Sequence, residues 1–331
     1  MALHPLLEVQ RLSVSYHSSS EILCAVRDVS LRVYEGETLA IAGETGSGKS
    51  TLGLSIAGLL DAQAKVESGD ILYEGNSLRS LRRQDWNAIR GRKIGIIFQD
   101  ARSALNPVLT IKEHLIETLQ AHQSLSRRQA QAQALSFLLE VGLPKGHEKY
   151  YPFELSGGMC QRVGIALAIC NNPRLLIADE PTSSLDTTIQ AQILDLLLLM
   201  KKRYGLALLL ISHDLALISQ VSDRISIMYH GRIVESGRTE EIFATPYHPY
   251  TVSLVQCQVG LQNHHKTNPI ASISGVTPIP GESHPGCAFA PRCDKSVPAC
   301  QASFPAEQEI TSTHWAACIR KFDGRIGRKK E

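Results

Sequence analysis

The sequence predicts an α/β domain followed by a small C-terminal extension that is rich in cysteine. Apolar stretches of strand length alternate with longer helical patterns, as in a sheet covered by helices. A glycine-rich turn joins the third predicted strand to a helix. Four of the eight cysteines lie in the last forty-five residues, which sets the C-terminus apart.

Length and composition narrow the possible classes of protein. The chain has 331 residues, 43% of them hydrophobic, and a formal net charge of +2, which gives no indication of nucleic-acid binding. No stretch reaches the roughly 18 apolar residues of a membrane span. The N-terminus lacks the charged and apolar regions of a signal peptide. We therefore expect a cytosolic chain whose cysteines are not joined in disulfides.

The glycine-rich turn has the pattern G-x-x-x-x-G-K-S/T, the phosphate-binding P-loop. A buried-strand pattern over Thr38–Ala42 precedes it, and a helical pattern from Lys49 to about Leu60 follows, which is the context that the motif requires. Lys49 should reach the β- and γ-phosphates of a nucleotide, and the Ser50 hydroxyl should bind Mg²⁺. The predicted ATP-binding residues of this loop are Gly43, Glu44, Thr45, Gly46, Ser47, Gly48, Lys49, Ser50 and Thr51.

Two extended stretches, Leu6–Tyr16 and Cys24–Val33, lead into the P-loop strand. Tyr16 carries an aromatic ring that could stack on adenine. A half-buried strand tyrosine explains the same residue equally well.

The region after the P-loop helix predicts three elements. Gly69–Gly75 has the pattern of a short strand and turn, and a charged helix is expected around Arg82–Arg90. Lys93–Gln99 resembles a buried strand that ends in a polar residue. At that position Gln99 could contact a metal ion or a water molecule.

A second helix N-terminus suited to phosphate follows a helical region over Ile111–Leu143. Ser156, Gly157 and Gly158 precede an amphipathic helix over Val163–Cys170. One phosphate chain needs only one P-loop, so this second site suggests a nucleotide held by another subunit.

An apolar strand over Arg174–Glu180 ends in two carboxylates, the Walker B pattern. This position places Asp179 near the Mg²⁺ shell and Glu180 near the γ-phosphate, where Glu180 could polarise an attacking water. A further strand, Ala207–Ser212, ends at His213, which could contact the γ-phosphate or be a structural histidine.

Together these motifs resemble an ABC-type ATPase over roughly residues 7–255. The resemblance implies a mixed-sheet core with a helical subdomain at about 103–172, and two such domains that clamp two ATP molecules head to tail. It assigns Tyr16 to adenine stacking, Gln99 to Mg²⁺ and membrane coupling, and Ser156 to Gly158 to the partner's γ-phosphate. It assigns Ser184 and Asp186 to the dimer contact, and His213 to the γ-phosphate switch. Met159 stands where many members have glutamine, and we expect activity to survive because backbone N–H groups and Ser156 carry the contact.

A narrower resemblance is to the ATP-binding subunits of dipeptide, oligopeptide and nickel importers. It rests on Ser103–Pro107, Tyr151–Leu155, His248–Thr251 and the cysteine tail. It implies a place on the cytoplasmic face of the inner membrane and several partners: two permeases, a second, non-identical ATPase, and an extracytoplasmic solute-binding protein. Dipeptides or oligopeptides are the expected cargo, with nickel or a metal chelate as the alternative. A soluble ABC ATPase acting on DNA or ribosomes is more remote, because the chain has one P-loop and no coiled-coil heptads.

The cysteine tail suggests a metal centre. Cys287, Cys293, Cys300 and Cys318 are separated by five, six and seventeen residues, without the C-x₂-C pair usual in structural zinc sites. Importer subunits with this spacing look like carriers of a 4Fe–4S cluster, so we rank that cluster first, no metal second and zinc third. The predicted domains are an ATPase domain over 1–257, a linker or arm over 258–285 and the cysteine-rich extension over 286–331.

Overall fold

The computed structural model describes residues 4–18, 21–262, 273–276, 278 and 284–320. Its strands in chain order are β1 (Leu7–His17), β2 (Ile22–Val33), β3 (Thr38–Ala42), β4 (Ala64–Tyr73), β5 (Asn76–Ser77), β6 (Ile94–Ile97), β7 (Leu175–Asp179), β8 (Ala207–Ser212), β9 (Arg224–Tyr229), β10 (Arg232–Arg238), β11 (Glu307–Thr311) and β12 (His314–Ala317). Its α-helices are α1 (Lys49–Ile56), α2 (Ile111–His122), α3 (Arg127–Glu140), α4 (Gly157–Ile169), α5 (Thr187–Tyr204), α6 (Leu215–Val221), α7 (Thr239–Ala244), α8 (Pro249–Gln262) and α9 (Ala299–Ala302).

The central sheet is mixed and has the order β11-β12-β10-β9-β3-β8-β7-β6. Strands β6, β7, β8, β3 and β9 run parallel to one another, whereas β10 is antiparallel to β9 and to β12. The strands β3, β7 and β8 are buried along their whole length, because a parallel sheet is covered on both faces. Their carboxyl ends meet at one edge, which brings the P-loop, the Walker B carboxylates and His213 together.

A second, antiparallel sheet with the order β2-β1-β4-β5 packs on one side of this core. Apolar side chains from both sheets share one cluster that includes Leu12, Leu39 and Leu52. Strand β1 pairs with β4 from Leu7 to Tyr16, so β4 begins well before the predicted strand over Gly69–Gly75. This pairing places Tyr16 next to the P-loop, where its hydroxyl lies close to that of Thr51.

Helices α2, α3 and α4 pack together through residues such as Leu115, Leu138 and Val163. The first two begin with capping boxes, which satisfy the exposed N–H groups of a helix start. The helix that follows Ser156 starts at Gly157, six residues before the predicted start at Val163. The glycines are therefore the first turn of the helix.

The charged stretch around Arg82–Arg90 is not a helix, and that prediction was wrong. Only the single 3₁₀ turn Asp85–Ala88 forms. Arg82 donates to the Asp85 carboxylate at 3.0 Å, and Arg90 donates to the carbonyl oxygen of Ala57 at 3.0 Å. These contacts, together with Trp86 and Ile89 packed on the apolar cluster, hold the segment against the P-loop helix in a compact turn.

The C-terminal segment continues the central sheet. The β11–β12 hairpin pairs with the edge of β10 through Glu235 opposite Ala316 and Ser236 opposite Trp315. Helix α8 extends to Gln262 and thus overlaps the start of the predicted linker over 258–285. Most of that predicted linker lies outside the described residues.

Candidate nucleotide-binding site

A cleft of about 350 Å³ opens at the carboxyl edge of the central sheet. It brings together ten of the predicted site residues, namely Tyr16, Thr45, Gly46, Gly48, Lys49, Ser50, Thr51, Gln99, Glu180 and His213. Five further lining residues belong to no motif of the sequence, namely Leu23, Cys24, Ala25, His230 and Gly231. Six segments that are distant in the sequence therefore converge on one cavity.

Glycines shape the P-loop where other residues would collide. Gly43 and Gly48 have φ angles of +154° and +100°, and a Cβ atom at either would lie about 2.1 or 2.2 Å from the carbonyl oxygen of Met228 or Ala25. Only glycine allows this combination of backbone conformation and close approach. The loop thus lies close between β2 and β9, and six of its residues line the cleft.

Lys49 lies folded back into the loop. Its Nζ atom donates to the carbonyl oxygens of Gly43 at 2.8 Å and Glu44 at 2.9 Å, and its side chain is nearly buried. Burial lowers the pKa of the Lys49 ammonium, while the nearby carboxylates of Glu180, Asp179 and Glu44 oppose the shift. The ammonium is a fixed cation in a site suited to polyphosphate.

Ser50 and Asp179 form a pair of oxygen donors at the mouth of the loop. The Ser50 hydroxyl donates to Oδ1 of Asp179 at 3.0 Å. Burial raises the pKa of Asp179, and the hydrogen bond from Ser50 partly offsets this. A hydroxyl beside a carboxylate fits Mg²⁺, which prefers oxygen ligands and is usually held by few protein groups. Gln99 is exposed and lines the same cleft.

Glu180 is held in an uncommon conformation beside His213. Its φ angle is +48°, and its backbone N–H donates to the carbonyl oxygen of Ile211 at 2.9 Å. The carboxylate lies 2.6 Å from Nδ1 of His213, whose side chain is 53% exposed whereas that of Glu180 is 11% exposed. Strained residues of this kind cluster at functional sites, and Glu180 lines the cleft.

Tyr16 reaches the cleft from the second sheet. Its hydroxyl lies 3.3 Å from the Thr51 hydroxyl, and its ring is partly exposed. This position is compatible with adenine stacking and with a half-buried strand tyrosine.

Some predicted site residues do not line the cleft. Ser156 and Gly157 are exposed at the start of α4, where the Ser156 hydroxyl accepts a hydrogen bond from the Met159 N–H at 3.3 Å. Ser184 is exposed, and Asp186 caps α5 by accepting from the Ile189 N–H at 3.1 Å. The remaining signature residue, Gly158, packs close to Ile189.

Glu44 belongs to the P-loop, but its side chain does not line the cleft. The carboxylate binds the Arg292 guanidinium, and the backbone N–H donates to the Tyr250 hydroxyl at 2.8 Å. Both partners lie more than 200 positions later in the chain. No sequence signal predicted these contacts: His248–Thr251 indicated only a family resemblance, and Arg292 belongs to no recognised motif.

The four C-terminal cysteines line one small cavity together with His248 and Phe289. Burial raises the pKa of Cys287 to about 11, and the other three thiols add to this rise. Within residues 4–18, 21–262, 273–276, 278 and 284–320, no group of three or more His, Cys, Asp or Glu side chains is arranged to hold a metal ion. The predicted 4Fe–4S cluster is therefore not confirmed.

None of the helices in the described part of the chain combines the length and apolar character needed to traverse a bilayer.

The cleft, its P-loop and its Walker B carboxylates define a P-loop ATPase. Comparison with known families agrees: residues 26–183 match the ABC transporter family, and residues 234–300 match the C-terminal region of oligopeptide/dipeptide transporters.

Individual relatives extend the similarity over nearly the whole chain. The dipeptide transport ATP-binding protein DppD of Bacillus subtilis is 42% identical over 94% of this chain and 93% of its own length. The oligopeptide transport ATP-binding protein AppD of the same organism is 40% identical over 91% of this chain and 92% of its own length.

Two solved structures share the fold. The ATP-binding cassette MJ0796, solved as a dimer bound to ADP and Pi, has a TM-score of 0.64 at 29% identity, with 70% of this chain and 98% of that chain covered. The protein cbiO1 of Clostridium perfringens, part of an ABC transporter complex, has a TM-score of 0.63 at 27% identity, with coverage of 78% and 98%. The chain therefore belongs to the ATP-binding subunits of ABC transporters, and it hydrolyses ATP to drive transport.

Proposed function

We propose that this chain is the energy-coupling ATPase of an importer for dipeptides or oligopeptides. One observation carries the proposal: the similarity to peptide-transport subunits spans the ATPase domain and also the C-terminal region, which matches oligopeptide/dipeptide transporters. The names of these relatives favour peptide cargo over the nickel or metal-chelate alternative.

In this proposal the cleft binds ATP by its phosphate chain. Lys49 and the backbone N–H groups of the P-loop neutralise the β- and γ-phosphates. Ser50, Asp179 and Gln99 would hold Mg²⁺, which offsets the phosphate charge as it builds up in the transition state. Tyr16 stacks on the adenine ring.

Hydrolysis then needs a base at the γ-phosphate. Glu180 accepts a proton from a water molecule whose oxygen forms the new bond to the γ-phosphorus, and the bond from phosphorus to the bridging oxygen breaks. His213 holds the Glu180 carboxylate at 2.6 Å and so keeps it aimed into the cleft. ADP and inorganic phosphate are the products.

The residues outside the cleft would serve a second ATPase. Ser156, Gly157 and Gly158 offer an exposed helix N-terminus to the γ-phosphate held by the partner, and exposed Ser184 and Asp186 would lie at the dimer contact. We propose that the partner is a non-identical ATPase, that both bind two permeases on the cytoplasmic face of the membrane, and that a solute-binding protein delivers the peptide.

The test uses a trapped form of the chain. Tagged Glu180→Gln protein should bind ATP without hydrolysing it and remain in the closed assembly, so it should co-purify from solubilised membranes with two multispanning proteins and a second ATPase. Tagged Lys49→Ala protein is the matched control, since it should bind little ATP. A purified assembly whose ATPase activity rises with peptide-loaded binding protein would support the peptide proposal. Recovery of ribosomes or DNA-repair proteins would overturn it.

We also propose a 4Fe–4S cluster at the C-terminal cysteines. The support is chemical, since such a cluster takes four thiolates, and Cys287, Cys293, Cys300 and Cys318 line one cavity. Cys287 lies 3.9 Å from Nε2 of His248, a neutral neighbour that burial keeps from protonation by lowering its pKa to about 3. The cysteines would hold the cluster between α9, β12 and the start of α8.

Anaerobically purified protein should then be brown and contain iron and sulfide. Cys300→Ser should lower both contents, whereas Cys160→Ala, at a buried cysteine of α4, should leave them unchanged. A folded, colourless protein without iron would reject the cluster, and stoichiometric zinc in its place would favour the zinc alternative.

A further inference from the structure

A partly buried ion pair links the C-terminal segment directly to the P-loop. Arg292 Nη1 donates to Oε2 of Glu44 at 2.8 Å, and Nη2 donates to Oε1 at 3.1 Å. The Arg292 side chain is only 4% exposed, whereas that of Glu44 is 24% exposed. A two-point contact of this kind fixes both the position and the orientation of the carboxylate.

Arg292 is itself held in place on several sides. Its Nη1 atom also donates to the Tyr229 hydroxyl at 3.2 Å, and its Nε atom donates to the carbonyl oxygen of Ser274 at 3.1 Å. The guanidinium carbon lies 5.8 Å from the ring centroid of Phe289. These contacts fix the position of the Arg292 guanidinium, and its loss would leave the Glu44 carboxylate without its cationic partner.

Glu44 is tied to the rest of the protein at three points. Its carboxylate binds Arg292, its backbone N–H donates to the Tyr250 hydroxyl, and its carbonyl oxygen accepts from Lys49. Of these three partners, Lys49 is the one that the proposed function also assigns to the phosphates. When Lys49 binds phosphate, Arg292 and Tyr250 are the two partners that still hold Glu44.

The same contacts lead to the cysteine-lined cavity. Arg292 precedes Cys293, and the Phe289 ring lies 5.4 Å from the rings of both Tyr229 and Tyr250. A continuous set of packed groups thus runs from the cysteines to the first residues of the P-loop.

We propose that Arg292 is a positioning residue for ATP binding, acting through Glu44, so that the C-terminal segment forms part of the ATP site. The ion pair keeps the start of the P-loop in its binding conformation and neutralises the Glu44 carboxylate, whose charge also acts on the Lys49 ammonium. The inference rests on the ATP-binding part of the proposed function alone and holds whatever solute is transported.

The experiment measures the equilibrium affinity of the purified full-length chain for a fluorescent ATP analogue. Arg292→Met should weaken binding about tenfold, a size common for coupling between sites. Lys295→Met is the matched control, because it removes the same charge from the same segment, at a side chain that is 55% exposed and pairs with Asp294. It should leave the affinity unchanged.

A double-mutant cycle tests whether Arg292 acts through Glu44. Glu44→Gln alone should weaken binding, and adding it to Arg292→Met should cost little more, because the pair is already broken. Arg292→Lys should recover part of the affinity, since it restores the charge without the two-point contact. A merely structural arginine would instead give effects that add and that follow the loss of thermal stability.

A variant that fails to fold does not block the test. Arg292→Lys and Tyr250→Phe are milder substitutions. Arg292→Lys keeps the positive charge, and Tyr250→Phe deletes only the hydroxyl that accepts from the Glu44 N–H. Both should weaken ATP binding several-fold with a native unfolding midpoint. Wild-type affinity in folded Arg292→Met, or strictly additive effects in the cycle, would overturn the proposal, and neither result would touch the peptide-import proposal.

Discussion

At the scale of single residues, the proposed hydrolysis depends on Glu180. Its strained backbone and its contact with His213 hold one carboxylate at the cleft. Glu180→Gln keeps the shape but removes the base, so we expect ATP affinity to be retained while kcat falls by about 10²- to 10⁴-fold, the usual contribution of a general base. Steady-state ATPase assays on the assembled transporter measure kcat, and nucleotide titration measures affinity.

The control for this prediction is Glu240→Gln, at an exposed carboxylate in the first turn of α7. It should leave both quantities unchanged. Wild-type kcat in Glu180→Gln would show that another group accepts the proton.

The placement of single residues was predictable only where a motif carries it. The P-loop and Walker B patterns predict that Lys49, Ser50, Asp179 and Glu180 lie together, because strand ends in a parallel sheet converge at one edge. The contact between Glu44 and Arg292 was not predictable. It depends on how a distant segment folds back over the P-loop, and nothing in the local sequence of either residue encodes that path.

At the scale of elements, the P-loop is a tight turn that connects β3 to α1. Gly48 caps the helix at a φ angle of +100°, and its missing Cβ leaves room for the carbonyl oxygen of Ala25. Gly48→Ala should push the loop away from β2 and abolish measurable ATP binding, because the added atom would lie about 2.2 Å from that oxygen. Titration with a fluorescent ATP analogue tests this, with circular dichroism as a check on folding.

Gly36→Ala is the control that separates the steric collision at Gly48 from the energetic cost of a left-handed backbone. Gly36 has a φ angle of +68° but open space around its Cβ position. It should lower the free energy of unfolding by about 1–2 kcal/mol, the cost of a left-handed residue, and leave ATP affinity unaffected. Equal ATP affinity in the two variants would contradict the steric argument.

Element existence was easier to predict than element bounds. The buried strands β3, β7 and β8 are uninterrupted apolar runs, which fit a covered parallel sheet and were predicted correctly. The charged stretch over 82–90 has strong helix formers but contacts the P-loop helix as a single 3₁₀ turn, so tertiary contacts override local propensity.

At the scale of the whole molecule, a buried carboxylate joins the ATPase domain to its C-terminal segment. Glu235 on β10 is fully buried and accepts from the backbone N–H groups of Tyr247 and His248, each at 2.8 Å, and from Nε2 of His314 at 2.7 Å. These donors lie in the connection before α8 and on β12. One side chain therefore stabilises both the approach to α8 and the added hairpin.

Glu235→Leu should lower the free energy of unfolding by about 3 kcal/mol or more, since each buried donor left without an acceptor costs about 1–3 kcal/mol. Urea unfolding followed by circular dichroism measures this. Glu309→Leu, at an exposed position of β11, is the matched control and should change stability by less than about 0.5 kcal/mol. Because β12 hydrogen-bonds to β10, the loss should appear as a shift of one transition. A separate early transition in Glu235→Leu, with the main midpoint unchanged, would instead mean that the C-terminal hairpin unfolds independently of the ATPase core.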